Sequence, residues 1–522
     1  MKVIFRVDAS LKMGTGHVRR CLTFAEKLKE NRAQVEFICR KHKGNLIDKI
    51  LERGFKVYSL KSTNSNFKDS SKLHHSQWLG TTQVKDAHEC INIVKHNDID
   101  WLIVDHYSLD EEWQNYLKPF CKKLFVIDDL ADRKHKCDVL LDQTYGTEER
   151  DYKDLVPSKC KLLLGSEYGL LRPEFFKLRH KSLNSRNDPK LQKLLINMGG
   201  IDSDNITESI LNQLCLSNLP REIAVKVVMG SNSPHLESVK SKSKDMPFST
   251  EVLVEVDDMA ELMAQSDLAI GASGSTTWER CCLGLPSIQI VTAENQENLA
   301  EKLAKENIVR LIEDVKEISK ILVEPIDWMK SASSLSKDVC DGLGSNRVFN
   351  SISNSLIFLD GVGEVDLHNY VNLTEEDSNL VLSMRNHPKV KMWMHNQDEI
   401  SNNEHINFIK SLESSIDKRY FLIKHKRTVA GAINFRKIKY SDSVEFGIFT
   451  NPFSEAKELG RLLESVAYEY AVQYLNVGKI KLEVFESNDR AINFYNKCGF
   501  EYIKSKQVNN RKIVSMEKRT HL

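Results

Sequence analysis

A glycine loop that ends in a histidine is the part of this sequence best suited to acid–base chemistry. Gly14, Gly16 and His17 follow an apolar run predicted as a strand over residues 3–7, and they precede a predicted helix that ends at Lys29. Glycine lets backbone N–H groups approach a ligand, and the field at a helix N-terminus attracts anions. That field also disfavours a cationic imidazole, and a neutral imidazole can act as a general base. The spacing supports a helix-capping histidine without a chemical role equally well.

Later strand and helix ends carry glycines and small polar residues that could bind a nucleotide. The candidates are Gly199 and Gly200 after predicted strand 194–197, Ser273, Gly274, Ser275, Thr276 and Glu279 after predicted strand 268–270, and Asn295 and Gln296 at the next helix start. N–H and O–H donors at a helix start can bind phosphate oxygens, and Glu279 could accept hydrogen bonds from ribose hydroxyls. Each run alone is explained better as an N-cap. Their combination on one half of the chain favours a nucleotide.

These loops need a scaffold of parallel strands, and the sequence up to residue 345 predicts one. Short apolar runs alternate with helical patterns, which is typical of βα units with a parallel sheet. The remaining predicted strands are 101–104, 124–127 and 224–229. Because residues 176–192 interrupt the rhythm, we predict two α/β halves, 1–175 and 190–345, that face each other across a cleft. The carboxyl ends of the strands should open onto the ligand.

Bulk properties exclude several classes of protein. The 522 residues are too many for one ordinary core, and 74 Lys and Arg are balanced by 73 Asp and Glu. We therefore expect no binding to nucleic acid or to a membrane surface. No apolar run approaches the ~18 residues that span a bilayer. The 11 irregularly spaced cysteines indicate a reducing compartment, so a cytoplasmic protein is expected.

The order of elements changes after a predicted linker over residues 346–364. We place the firmest boundary near residue 360, where a glycine-containing turn follows a helix. From 365 to 519 the pattern is α+β with antiparallel strands at 420–424, 429–436 and 443–449. A long helix to Tyr474, a strand over 479–484 and a last helix follow.

The first 345 residues resemble a known enzyme family at seven segments. They are 14–22, 104–107, 127–133, 140–143, 170–175, 197–200 and 271–279. This pattern is similar to the UDP-sugar hydrolases of the pseudaminic acid pathway, which have the two-lobed glycosyltransferase-B architecture. The resemblance implies hydrolysis of a UDP-linked 2,4-diacetamido-2,4,6-trideoxy hexose. It assigns His17 as the base that activates water for inverting attack, and it places Asp105 and Tyr107 at the cleft. No metal ion is expected.

Residues 365–518 resemble the GNAT family of acetyltransferases, in particular the N-acetyltransferases of the same pathway. The run Asn-Asp-Arg-Ala-Ile-Asn-Phe-Tyr-Asn-Lys-Cys-Gly-Phe at 488–500 is its most specific segment. The resemblance implies acetyl-CoA as cosubstrate and the 4-amino group of a UDP-4-amino-4,6-dideoxy-N-acetylhexosamine as acceptor. It assigns Tyr495 to protonation of the departing thiolate and Asn488 to the pantetheine arm. It assigns the coenzyme pyrophosphate to the turn that holds Lys457, Leu459, Gly460 and Arg461.

This turn departs from the usual GNAT pattern at two positions. Glu455 stands where Gln or Arg is expected, and Glu458 replaces the first glycine. Two carboxylates near a pyrophosphate should weaken coenzyme binding unless they point to solvent. Glu445 is our candidate for the general base, although a surface-facing strand glutamate is the simpler interpretation.

Three alternatives remain open at this point. A glycosyltransferase with the same two lobes would transfer the sugar to an acceptor instead of water. A non-catalytic sensor would bind acetyl-CoA without turnover. A related pathway, such as that of legionaminic acid, would use a different stereoisomer of the sugar. The oligomeric state is not predictable from the sequence.

Overall fold

The computed structural model of the protein describes residues 1–61, 73–217, 219–322, 327–438, 441–475, 477–508 and 511–521. They form two units, Met1–Ser345 and Asn346–Leu522. Within these ranges, no helix is both long and apolar enough to cross a membrane.

The first half of the N-terminal unit is a parallel sheet with the strand order β3-β2-β1-β4-β5-β6-β7. Its strands are β1 Lys2–Val7, β2 Gln34–Arg40, β3 Lys56–Leu60, β4 Trp101–Asp105, β5 Lys123–Ile127, β6 Val139–Asp142 and β7 Lys161–Leu164. The helices are α1 Gly16–Glu30, α2 Ile47–Glu52, α3 Gln83–Val94, α4 Glu111–Leu117 and α5 Pro173–Ser185. The strands are near-continuous apolar runs because helices can cover both faces of a parallel sheet.

The second half repeats this arrangement with the strand order β10-β9-β8-β11-β12-β13. Its strands are β8 Lys193–Asn197, β9 Ala224–Met229, β10 Ser249–Val254, β11 Leu268–Ala272, β12 Ser287–Ile290 and β13 Arg310–Ile312. The helices are α6 Ile206–Leu216, α7 Leu236–Lys244, α8 Met259–Ala264, α9 Thr276–Cys282, α10 Glu297–Lys305, α11 Ile318–Ile321 and α12 Asp327–Val339. The two α/β halves predicted from the sequence are therefore present.

In both sheets, the order in which successive strands are added reverses beside the first strand. In the first sheet β1 lies between β2 and β4, and in the second sheet β8 lies between β9 and β11. The connections after β1 and β4, or after β8 and β11, therefore leave the sheet towards opposite faces. A crevice opens between them at the carboxyl ends of the strands, where α/β sheets bind ligands. His17 follows β1, and the predicted phosphate loops follow β8 and β11.

Residues 176–192, predicted as an interruption, contain most of α5, and this helix packs on the second half. Arg179 donates hydrogen bonds to the backbone carbonyls of Cys282, Lys337 and Cys340. A guanidinium group has five donors, so it can satisfy several carbonyls at helix ends at once. The polar residues in this segment therefore support packing as well as the connection between halves.

The C-terminal unit is a mixed sheet with the strand order β14-β15-β16-β17-β18-β19-β21-β20. Its strands are β14 Ser355–Leu359, β15 Gly363–Asn369, β16 Lys418–His425, β17 Thr428–Lys437, β18 Ser443–Thr450, β19 Lys479–Phe485, β20 Glu501–Val508 and β21 Arg511–Arg519. The helices are α13 Gly344–Ile352, α14 Glu375–Asn386, α15 Pro388–Lys391, α16 Asn402–Glu413, α17 Leu459–Tyr470 and α18 Asp489–Lys497. The predicted long helix ends as a π-helical turn, Ala471–Leu475.

The structure differs from the predicted linker over 346–364. This segment contains most of α13 and all of β14, and β14 pairs antiparallel with β15. The unit therefore begins at Asn346, before the boundary that we placed near residue 360. The glycine-containing turn exists, but it is the hairpin between β14 and β15, with Gly361 and Gly363 at positive φ.

Gly431 in β17 occupies a position that excludes any side chain. Its φ is +153°, and a Cβ atom would lie 2.3 Å from the carbonyl oxygen of Phe449. We predict that Gly431→Ala lowers the free energy of unfolding of this unit by about 2–4 kcal/mol. Hydrogen exchange of the β17 amides at increasing urea concentration measures this free energy of unfolding. Gly361→Ala is the control, because its φ of +75° adds strain in open space; an equal loss in both variants would contradict the steric explanation.

Candidate functional site

A cleft of about 1010 Å³ lies at the carboxyl ends of the two parallel sheets. It is lined by twelve of the residues predicted for the N-terminal unit. They are Gly14, Gly16, His17, Tyr107, Gly199, Gly200, Ser273, Gly274, Ser275, Thr276, Glu279 and Gln296. Asp105 lies directly behind His17. The side chain of Asn295 lies outside the described residues. The structure thus brings residues from distant parts of the sequence to one site.

The loop between β1 and α1 aims His17 at this cleft. Gly14 has a φ of +77°, and its N–H donates to the carbonyl of Ser10 at 2.8 Å. This tight turn is where glycine is needed, because a side chain at positive φ is strained. His17 is then the second residue of α1, and it is 7% exposed.

His17 forms a hydrogen-bonded pair with a buried carboxylate. Its Nδ1 lies 2.6 Å from Oδ1 of Asp105, which is fully buried at the end of β4. Burial alone would raise the pKa of Asp105, but Arg20 and then His17 hold that pKa well below its usual range. Asp105 is therefore ionised, and it accepts the hydrogen from Nδ1. When the imidazole is neutral, this contact leaves Nε2 as the acceptor nitrogen, which is the geometry of a general base oriented by a carboxylate.

The ring of Tyr107 packs against the imidazole of His17. The two rings meet at 83° with their centroids 4.5 Å apart. The Tyr107 hydroxyl donates to Oδ1 of Asp129, and it is almost completely buried. Burial and then the charge of Asp129 raise the pKa of Tyr107, so the phenol stays protonated. Tyr107 therefore restrains the imidazole, in addition to lining the cleft.

The loop after β11 places polar groups on the other side of the cleft. The Ser273 side chain is 1% exposed, and its Oγ has no hydrogen-bond partner among the described residues. A buried hydroxyl without a partner is costly, so a ligand oxygen at this position would be favourable. Gln296 is close to this loop, because a Cβ on Gly274 would lie 3.7 Å from its Nε2.

Glu279 lies one turn into α9 and is half-buried in the cleft. Burial raises the pKa of its carboxyl, against the opposing effect of Arg172, Arg19 and Arg280. A carboxylate in this position can accept hydrogen bonds from ligand hydroxyls. The contact of Glu279 with a ribose stays a prediction.

Asp142 at the end of β6 is a buried carboxyl near this site, and its pKa is raised to about 7 by burial and by Asp129. An unfolded Asp has a pKa of about 3.9. The folded state therefore binds the proton more tightly, and the free energy of unfolding falls as pH rises from about 4 to 7. We predict that Asp142→Asn is more stable than wild type at pH 8 by about 1–3 kcal/mol, with a smaller difference at pH 5. Hydrogen exchange of the β6 amides in urea measures the free energy of unfolding of both proteins at each pH. A stability difference that is the same at pH 5 and pH 8 would contradict the prediction.

The two central strands of the C-terminal unit separate along their length. β18 and β19 pair in parallel only from Ser443 to Glu445 and from Lys479 to Lys481. Both strands continue for at least four more residues, and the diverging ends leave backbone groups available to a ligand. α17 begins at Leu459 near the end of this sheet, after Glu458 with a φ of +61°.

Tyr495 on α18 lies against this sheet. Its side chain is 8% exposed and packs edge-on against Phe446 and Phe500, with ring centroids 6.3 and 5.5 Å away. Burial, and then the charges of Cys498 and Glu464, raise the pKa of its hydroxyl. The phenol is therefore protonated at neutral pH and can donate a proton.

Comparison with known proteins identifies the two parts of the chain. Residues 383–500 match the Acetyltransferase (GNAT) family, and residues 194–337 match the Glycosyltransferase family 28 C-terminal domain. Acetyltransferase PseH of Campylobacter jejuni serotype O:2 is 31% identical over 136 residues, which are 26% of this chain and 84% of that protein. The chain belongs to the GNAT acetyltransferase family through its C-terminal unit.

Further relatives cover the N-terminal unit and the whole chain. UDP-2,4-diacetamido-2,4,6-trideoxy-beta-L-altropyranose hydrolase of C. jejuni is 29% identical over 307 residues, 58% of this chain and 97% of that protein. Uncharacterized protein MJ1062 of Methanocaldococcus jannaschii is 25% identical over 518 residues, 98% of each chain. A crystal structure of C. jejuni PseH in complex with acetyl coenzyme A has 24% identity and a TM-score of 0.25, and covers 30% of this chain and 99% of that one. By its sequence similarity to the hydrolase and to PseH, the protein is a fusion of a segment homologous to this hydrolase with a GNAT domain, as the sequence predicted.

The predicted coenzyme residues of the GNAT domain lie at two helix starts. Leu459 and Gly460 form the first turn of α17, and Lys457 and Arg461 are exposed beside it. Glu455 and Glu458 are also exposed, so neither carboxylate is buried where it would oppose a pyrophosphate. The weaker coenzyme binding that these two carboxylates predict stays a prediction.

Two other predicted residues of the GNAT domain have structural partners. Asn488 is the N-cap of α18, and its Oδ1 accepts from the N–H of Ala491 at 3.1 Å. Glu445 lies 3.7 Å from a guanidinium nitrogen of Arg436 on the neighbouring strand. These contacts favour a capping role for Asn488 and the cross-strand ion pair for Glu445.

Four residues near His17 were not predicted as site residues. They are Arg20, His75, Trp78 and Asp129. Arg20 is three residues after His17 on a predicted helix, a spacing that places both on one face. Asp129 follows the end of β5, and strand ends at this edge carry the other site residues. Trp78 lies in a short 3-10 helix, Ser76–Leu79, and His75 directly precedes it. No sequence pattern revealed either residue.

Proposed function

We propose that the N-terminal unit hydrolyses a UDP-linked 2,4-diacetamido-2,4,6-trideoxy hexose to the free sugar and UDP. The GNAT domain acetylates the 4-amino group of the corresponding UDP-4-amino sugar with acetyl-CoA. The observation that carries the hydrolase proposal is the His17–Asp105 pair at the cleft. The similarity to a hydrolase of this type over 97% of its length supports the substrate class.

Hydrolysis needs one proton to leave a water molecule as it attacks the anomeric carbon. Nε2 of His17 accepts this proton while the water oxygen bonds to the carbon and the carbon–oxygen bond to the diphosphate breaks. The configuration at the carbon inverts. Asp105 holds the ring and stabilises the imidazolium that forms, which then returns its proton to solvent. No metal ion is required by this scheme.

The departing diphosphate carries the charge that develops in this step. Groups around α9 can stabilise it, since the Ser273 hydroxyl and the backbone of Gly274 and Ser275 face the cleft. Donors fixed in place before the reaction stabilise a leaving anion without reorganisation. Gly199 and Gly200 leave space for the ligand against the backbone opposite His17, and Glu279 and Gln296 contact the nucleoside.

In the GNAT domain, acetyl-CoA would supply the acetyl group as a thioester. The N–H groups at the start of α17 bind its pyrophosphate, with Lys457 and Arg461 close by. The acceptor amine attacks the thioester carbon, and the carbon–sulfur bond breaks. Tyr495 donates its phenolic proton to the leaving sulfur, and the nitrogen loses one proton to solvent as the amide forms. The phenolate then takes a proton back from solvent, which restores Tyr495. The product of this domain would be the substrate of the N-terminal unit, so one chain carries out two successive steps.

The decisive experiment incubates the purified chain with the UDP-4-amino sugar and acetyl-CoA, without any sugar acceptor. We expect mass spectrometry to detect the acetylated UDP-sugar first and then free diacetamido sugar with one equivalent of UDP. A glycosyltransferase would stop at the acetylated UDP-sugar. A chain that binds acetyl-CoA but leaves the amino sugar unchanged would be a sensor, and either result would overturn part of the proposal.

A further inference from the structure

We propose that Arg20 is a positioning residue that keeps the imidazole of His17 unprotonated and directed at the cleft. This inference rests on the proposed function, because it concerns the same base. Arg20 lies one turn after His17 on α1, so both side chains share one face of the helix. The side chain of Arg20 is only 7% exposed.

The guanidinium group of Arg20 joins the two carboxylates that surround His17. Its Nε and Nη2 donate to the two oxygens of Asp105, both at 2.7 Å. Its Nη1 donates to Oδ2 of Asp129 at 2.8 Å. Because Asp129 also accepts from Tyr107, Arg20 fixes both the acceptor behind the imidazole and the ring beside it. Such a bidentate contact is rigid, and a lysine ammonium cannot reproduce it.

Arg20 also opposes a second proton on His17. Its Nη2 lies 3.2 Å from Nδ1 of His17, so an imidazolium would place a positive charge next to the guanidinium. With a neutral imidazole, Arg20, Asp105 and Asp129 together carry one negative charge. Without Arg20, Asp105 and Asp129 would carry two negative charges. These charges would favour a resting imidazolium, which cannot accept a proton from water.

The other titratable groups that face His17 do not replace this charge. They are Cys21 on α1, His106 and Tyr107 after β4, and His75. Burial raises the pKa values of Cys21 and Tyr107, so both stay uncharged. Burial lowers the pKa values of His75 and His106, which disfavours their cationic forms. Arg20 therefore supplies a permanent positive charge at this end of the cleft.

The test measures the protonation of His17 separately from catalysis. Diethyl pyrocarbonate modifies unprotonated imidazole, and peptide mass spectrometry gives the extent at His17 as a function of pH. We expect Arg20→Gln to move the midpoint, and the acid limb of kcat/KM for UDP release, up by about 1–2 pH units. Arg20→Lys keeps the positive charge, so its midpoint should lie close to that of the wild type. It lacks the bidentate contact, so kcat should stay low. Asp129→Asn, at a partly exposed carboxylate, should move the midpoint down.

Arg150→Gln is the matched control, since this exposed arginine pairs only with Glu148 in the described contacts. It should leave the midpoint unchanged. A lower kcat in Arg20→Gln and Asp129→Asn with no movement of the midpoint would overturn the proposal and leave a purely structural role. If the wild-type chain releases no UDP, the proposed function fails, while the midpoints still decide the role of Arg20.

Discussion

His17→Ala should abolish UDP release and leave acetyl transfer intact. The substitution removes the group that takes the proton from water, and a positioned general base contributes about 10²- to 10⁴-fold to rate. We therefore expect kcat for UDP release to fall by about 10³-fold. With the UDP-4-amino sugar and acetyl-CoA as reactants, mass spectrometry should detect accumulation of the acetylated UDP-sugar.

Two controls make this result specific. His96→Ala removes an exposed histidine of the same unit and should release UDP at the wild-type rate. Asp105→Asn keeps the size of the buried side chain but can present its N–H₂ group to Nδ1, which would favour the wrong tautomer of His17. We therefore expect Asp105→Asn to lose UDP release almost as completely as His17→Ala does. Normal UDP release by His17→Ala would show that another group activates the water.

Strands of the scaffold were predicted correctly where a short local stretch of sequence is enough to define them. The bounds predicted for β9 match Ala224–Met229, because a strand covered on both faces is a continuous apolar run. β14, which pairs antiparallel with β15, was mistaken for part of a linker, although residues 356–359 are a short apolar run. Glycines at 361 and 363 indicate a turn in the sequence, but they do not show that strands continue on both sides of it.

The candidate site was predictable where function is linked to a motif, and not where it depends on long-range contacts. His17 was predicted from the glycine loop that follows a strand, and Tyr107 was predicted from the family resemblance. The hydrogen bonds of Arg20 with Asp105 and Asp129 join residues that are 85 and 109 positions apart along the chain, so no local pattern reveals them. Asn488 has the local capping contact that its position before a helix allows, and its contact with the pantetheine arm stays a prediction.

Tyr495→Phe should slow acetyl transfer without affecting the hydrolase. Phenylalanine keeps the packing against Phe446 and Phe500, so the loss measures the hydroxyl alone. A general acid contributes at least about 10²-fold, and we expect kcat to fall by that factor while KM for acetyl-CoA changes by less than about 2-fold. Since the pKa of this phenol is raised, the loss should be the same from about pH 6 to 8.

Release of free coenzyme A thiol measures this rate, and UDP release from the pre-acetylated UDP-sugar measures the other activity in the same sample. Tyr502→Phe is the matched control, because Tyr502 is 62% exposed in the same unit. Equal rates for Tyr495→Phe and Tyr502→Phe would mean that solvent protonates the thiolate. A loss confined to Tyr495→Phe, with UDP release unchanged, would instead place the proton donor of acetyl transfer on α18 and show that each unit carries its own catalytic residues.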